Sequence, residues 1–105
     1  MTDISICRKA VIESFDLVID QASRLNMAGL NLECAFQIKE NLKKSNFTEL
    51  WHTIAYIGDF LYYAIAHEMY NHGYSNEDIE KETKEWFSPL TPGIIKSISD
   101  NAFID

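Results

Sequence analysis

From Asn46 to Gly73 the chain runs through 26 intervening residues with no proline and one glycine, Gly58. Nothing else in the sequence is as restrictive: this spacing predicts a single helix roughly 39 Å long, with the other segments packed around it. Its start is marked by Asn46 and, three residues on, Glu49, the capping-box spacing in which each side chain satisfies a free backbone donor of the first turn. Its stop is Gly73, where a left-handed residue commonly closes a helix. Phe47, Leu50, Ile54, Gly58, Leu61, Ile65 and Met69 recur at three- and four-residue steps, so they form one stripe to be buried. A glycine inside such a stripe costs about 1 kcal/mol against alanine, and the expected compensation is a second helix crossing close to the Gly58 backbone. The opposite side carries His52, Tyr56, Asp59, Tyr63 and Tyr70, with His67 flanking. That side is neither a plain solvated face nor a plain core face.

The remaining periodicity is also helical. A first helix over about 3–25 places Ile4, Cys7, Val11, Phe15, Val18, Ala22 and Leu25 on one side, with Glu13, Asp16 and Asp20 among the solvated residues opposite. A turn between Asn26 and Asn31 leads to a second helix over about 31–44, whose apolar residues cover an arc wide enough for two neighbours. The central helix is expected over about 46–72. Ser75 with Asp78 three residues on opens a short acidic helix over about 76–87, anchored by Ile79, Trp86 and Phe87. Thr91 and Pro92 cap a last helix over about 92–100, and Phe103 and Ile104 are expected to pack back onto the rest. No segment alternates like a strand. The expected fold is all-α: a single-domain helical bundle (1–105) of three main helices with two short C-terminal ones folded over an end.

The charge distribution is more informative than its size. Residues 1–45 carry six acids and six bases, whereas residues 46–105 carry ten acids and three bases, which is the whole of the net charge of −7. Such a field repels nucleic acid and speeds association with cationic partners. Cys7 and Cys34 fall at apolar-compatible helical positions and are expected to be buried, reduced thiols. The N-terminus lacks a basic segment followed by an apolar run, and no apolar run approaches spanning length. The expected location is therefore cytoplasmic, with neither membrane nor nucleic acid as partner.

His67-Glu68 is followed by His72 at five residues, not the four that let two imidazoles on one helix share zinc. Glu49 and His52 have the Glu-x-x-His spacing of di-iron bundles, in one copy where two are needed. Glu82 and Glu85 form one Glu-x-x-Glu pair, as in all-α nucleotide pyrophosphatases, and a matching second pair is missing. GYSNEDIEKETKEW followed by SPLTPGIIKSIS resembles a helix-turn-helix. Its connection is longer than the usual turn, and its last helix carries one base, Lys96, where phosphate contacts need several. No catalytic, cofactor-binding or metal residue is assigned, and an enzyme is not expected.

What remains is the amphipathic face of the central helix together with the acidic helix after it. Tyrosine is favoured where a rigid ring anchors a partner. The expected function is an acidic cytosolic interaction module, an inhibitor or immunity-type protein that neutralises a basic protein such as a nuclease toxin. Its expected partner-binding residues are Tyr56, Asp59, Tyr63, Tyr70, Glu77, Asp78, Glu80, Glu82 and Glu85, and a homodimer is compatible with them. Two alternatives stand beside it: a helix-turn-helix-like regulator acting through protein contacts, and a small helical ligand binder or enzyme using His52, Asp59 and His67.

Overall fold

The computed structural model describes residues 3–27 and 32–103. The first helix, α1 (Ile4–Arg24), starts where the Asp3 carboxylate accepts the Ser5 amide at 2.7 Å. That backbone hydrogen bond holds the Asp3 carboxyl below its ordinary range. The helix stops at Asn26, whose φ of 51° lets the Met27 amide reach back to the Ala22 carbonyl. Then follow α2 (Leu32–Leu42), α3 (Phe47–Tyr56), a π-helical turn (Ile57–Leu61), α4 (Tyr62–Asn71), α5 (Asn76–Trp86) and α6 (Pro92–Asn101). The described residues are all-α, with no strand. Of the expected turn at 26–31, residues 28–31 lie outside the described residues, as does Ile104 of the tail.

The cap residues act as their spacing implies. Asn46 accepts the Glu49 amide at 2.8 Å while Glu49 accepts the Asn46 amide at 3.4 Å. Ser75 accepts the Asp78 amide and Thr91 that of Ile94, with Pro92 in the first turn. Gly73 has φ +87° and closes α4, with the Tyr74 amide donating to the Met69 carbonyl and the Gly73 amide to that of Tyr70. The second helix ends at Leu42, two residues short of the expected 44. Ser45, buried just beyond it, offers its carbonyl to Arg8 Nε at 2.7 Å.

The centre of the packing is α1, not the long helix. α1 touches α2, α3, the π turn, α4, α5 and α6, and it buries Cys7, Ala10, Val11, Ser14, Phe15, Val18, Gln21 and Ala22. Small side chains at Ala10, Ser14 and Ala22 let several neighbours approach its backbone. The Ser14 hydroxyl donates to the Trp86 carbonyl at 2.6 Å in the interior, tying the end of α5 to α1. Tyr62 meets the Trp86 ring edge-on at 6.2 Å.

The long helix is one rod, but its middle is not α-helical. Its buried positions are Leu50, Ile57, Leu61, Ile65 and Met69, with Ile54 partly buried. From Leu50 to Met69 is 19 residues in five turns, whereas an α-helix fits about 18. The surplus residue would swing Met69 about 100° off the core side. The π turn absorbs it: the Tyr62 amide donates to the Ile57 carbonyl five residues back, so this turn holds one residue more than an α turn.

This corrects the expectation for Gly58. The buried residue at that level is Ile57, and a Cβ placed on Gly58 would meet nothing within 4 Å. No described helix crosses close to it: Gly58 follows the buried Ile57 by one residue and so stands about 100° round the helix from the core side. Cys7 is buried, and desolvation raises its thiol pKa above the ordinary range, with a weaker opposing hydrogen bond from Ser97. Cys34 is exposed rather than buried, and both thiols are free.

Candidate interaction surface

Opposite the core side, the long helix presents aromatic rings to solvent. Tyr56 is 42 % exposed, Phe60 60 %, Tyr63 67 % and Tyr70 66 %. Soluble proteins bury such rings by preference, so a file of them is the most unusual feature of the surface. Tyr56 and Phe60 stack at 5.3 Å between centroids, 14° from parallel, which fixes them on one side of the rod. Tyr63 lies edge-on to Tyr62 at 5.2 Å, so its ring is braced through Tyr62 against buried Trp86. Asp59 is exposed on the same side, with His52 and His67.

The file is extended at both ends. Near the start of α3, Phe103 adopts φ 66° and donates its amide to Thr48 Oγ1 at 3.0 Å. Its ring, 59 % exposed, sits 5.7 Å from that of His52. Beyond α4, Tyr74 is partly exposed after the Gly73 turn. His72 lies 3.7 Å from Glu68 across one turn, so it leaves the histidine pairing with His67 unused.

The acidic residues of the C-terminal part gather on α5. Glu77, Asp78, Glu80 and Glu85 are exposed, and Glu82 is half-buried. Thr83 and Trp86 are the buried side of this helix. Lys84 is held by Glu80 at 3.3 Å. Glu77 and Asp78 stand in the first turn, where the free amides favour negative charge. A shallow depression of about 460 Å³ runs along Glu77, Glu80 and Glu85 with Lys81 and Lys84.

α5 packs on α4 and α1, so the structure puts the acids and the aromatic file on adjoining elements. A second acidic hollow of about 530 Å³ lies on α1 between Glu13, Asp16, Leu17 and Asp20, bounded by Pro89. Its charges are largely neutralised: Asp16 pairs with Lys39 at 3.0 Å and Asp20 with Arg24 at 2.7 Å.

Phe60 and Phe103 belong to this surface in addition to the residues expected from the sequence. Phe60 is four residues from Tyr56 and three from Tyr63, a step readable in the sequence once Ile57, not Gly58, is placed in the core. Phe103 depends on a tail contact 55 residues away in sequence, for which no local signal exists. In α6, Lys96 is bound to Asp100 at 2.7 Å, which raises the lysine pKa. Among the described residues no three His, Cys, Asp or Glu side chains form a group that would hold a metal ion. No described helix is long and apolar enough to cross a membrane. No protein-family model, curated protein or solved structure matches the chain, so the surface is interpreted from its own chemistry.

Proposed function

We propose that the protein is an interaction module that binds and neutralises a basic protein partner, in the manner of an inhibitor or immunity protein acting on a cationic toxin such as a nuclease. The observation that carries this reading is α5: four exposed carboxylates, Glu77, Asp78, Glu80 and Glu85, beside two lysines, one of them already paired. A predominantly acidic ridge of this kind raises encounter rates with an opposite surface by ~10- to 1,000-fold at low salt. Tyr70 and Tyr74, at the adjoining end of α4, supply apolar anchors beside the charges. In this reading three main helices form a rigid bundle, and the two short C-terminal helices present the ridge. The protein acts in the cytoplasm and needs neither cofactor nor catalytic group.

The test is association of the full chain with the basic product of its neighbouring gene, followed by surface plasmon resonance across a salt series. Reversing Glu77, Asp78, Glu80 and Glu85 to lysine is expected to slow association at least ~10-fold and to flatten its salt dependence. Association that ignores both the four charges and the salt would end this reading.

A further inference from the structure

The aromatic file has an internal symmetry that the basic-partner reading does not use. Along the exposed side of the long helix the side chains run His52, Tyr56, Phe60, Tyr63, His67. The residue types read the same in either direction about Phe60, at steps of four, four, three and four. All five are exposed, and the Tyr56–Phe60 stack shows that the π turn leaves neighbouring rings in line.

An isologous contact between identical chains can use this arrangement, because a two-fold axis places residue i against j and j against i, so that like rings at nearly equal distances from the axis meet one another. From this we infer that the outer face of α3, the π turn and α4 docks a second copy of the chain, antiparallel, with the two-fold axis at Phe60. Phe60 then meets the partner's Phe60, Tyr56 meets the partner's Tyr63, and His52 meets the partner's His67.

Two further observations favour a second copy over another occupant. From Leu50 to His67 the chain contains one charged residue, Asp59, which matches the depletion of charge and enrichment of aromatics at the core of protein interfaces. The area also suffices. An aromatic side chain buries about 150–250 Å². Tyr56, Phe60, Tyr63, Tyr70 and Phe103 at their observed exposures therefore offer roughly 450–750 Å² per copy. Two copies reach about 900–1,500 Å², a range that spans the lower bound for a specific interface. An antiparallel pair also carries its two α5 ridges to opposite ends, so self-docking leaves the α5 carboxylates and Tyr74 free and takes Tyr70 alone from the surface proposed for the basic partner.

One residue opposes the contact. Asp59 lies beside the axis, and the two copies bring their Asp59 carboxylates toward each other. Added salt screens that repulsion and the mutual repulsion of two chains of charge −7. Self-association is therefore expected to strengthen with salt, whereas capture of a basic protein weakens with it.

Sedimentation equilibrium of the full chain over about 1–300 µM is expected to show a monomer–dimer equilibrium with a micromolar dissociation constant, the class of the smallest interfaces. Phe60→Asp, and separately Tyr63→Arg, is expected to raise that constant at least ~30-fold with an unchanged helical spectrum. Asp59→Asn is expected to lower it. In a Cys34→Ser background, Phe60→Cys is expected to form a disulfide-linked dimer on mild oxidation, because helices in contact bring residues on the axis within bonding reach. Tyr70→Cys in the same background is not, since its two copies stand far apart along the rod. A chain that stays monomeric at the highest concentration would overturn the proposal, whatever the outcome with the basic partner. So would a Phe60→Asp variant that dimerises like the parent, or a 70–70 link that forms as readily as 60–60.

Discussion

α1 and the long helix are of similar length, 21 residues for α1 and 25 from Phe47 to Asn71, yet they make opposite demands on their side chains. α1 spends its apolar and small residues inward and touches every other described helix. Its outer side carries Asp16, Asp20 and Arg24 in exposed ion pairs that are each worth little, with Ile6 and Leu17 as its exposed apolar residues and no exposed ring. The long helix buries one narrow stripe and leaves Phe60, Tyr63 and Tyr70 in water. α1 and the inner side of the long helix share the core, and the exposed rings lie on the outer side of the long helix. The irregular turn sits in the long helix because its buried stripe holds 19 residues from Leu50 to Met69, whereas that of α1 holds 18 from Cys7 to Leu25, which a regular α-helix fits in five turns.

The largest expected effect comes from breaking that register. Inserting one alanine after Gly58 gives 20 residues over the five turns from Leu50 to Met69 and turns the buried side of α4 away from α1. The loss of Ile65 and Met69 from the core is expected to cost more than about 5 kcal/mol. Cooperative thermal unfolding, followed by circular dichroism, should disappear.

Next comes the contrast between the two helices. Phe15→Ala removes a buried ring of α1 and is expected to cost about 3–5 kcal/mol, whereas Tyr63→Ala on the outer side should stay within about 0.5 kcal/mol. Urea unfolding of both variants at a concentration where the chain is monomeric checks this; equal losses would erase the distinction drawn here.

Smaller still is Gly58→Ala. The added methyl meets nothing and the backbone is right-handed, so a gain of about 0.5–1 kcal/mol is expected. A loss would mean that the turn needs glycine for a reason other than space.

The finest distinction concerns the two thiols. Cys34 should react with a disulfide reagent in the native state, and Cys7 only on unfolding. Burial raises the Cys7 pKa above its unfolded value. The associated stability is therefore fully present below the ordinary thiol range, about 8.5, and is lost as pH rises from there through the folded pKa. The thermal midpoint of the parent should fall more steeply from pH 8 to 10 than that of Cys7→Ala.

Much of this fold was legible because its signals are local. Asn46 with Glu49, Ser75, Thr91 with Pro92, and Gly73 are residues whose own chemistry starts or stops a helix, and each does so. The all-α class follows from the 3.6-residue periodicity. Whatever depended on the other side of a contact was not legible. The central place of α1 arises from small residues at Ala10, Ser14 and Ala22, whose value appears only when several helices lean on them. Cys34 looked apolar-compatible on a wheel and is exposed, because α2 has fewer neighbours than its wide apolar arc implied.

The π turn is an intermediate case. The surplus residue between Leu50 and Met69 was countable, but tying the stripe to Gly58 instead of Ile57 concealed it. That same choice hid Phe60. The expected binding residues on α5 are exposed except for Glu82, whose half-buried position comes from the packing of α5 and not from its spacing.

Deleting Gly58 tests the central claim most directly. If the π turn exists to absorb one residue so that both sides of the rod stay in phase, the deletion leaves 18 residues for five turns, which a plain α-helix accommodates. The shortened chain should then unfold cooperatively in urea, with a midpoint close to that of the parent and an unchanged helical spectrum. A non-cooperative transition, or a loss comparable to that of the alanine insertion, would contradict the account.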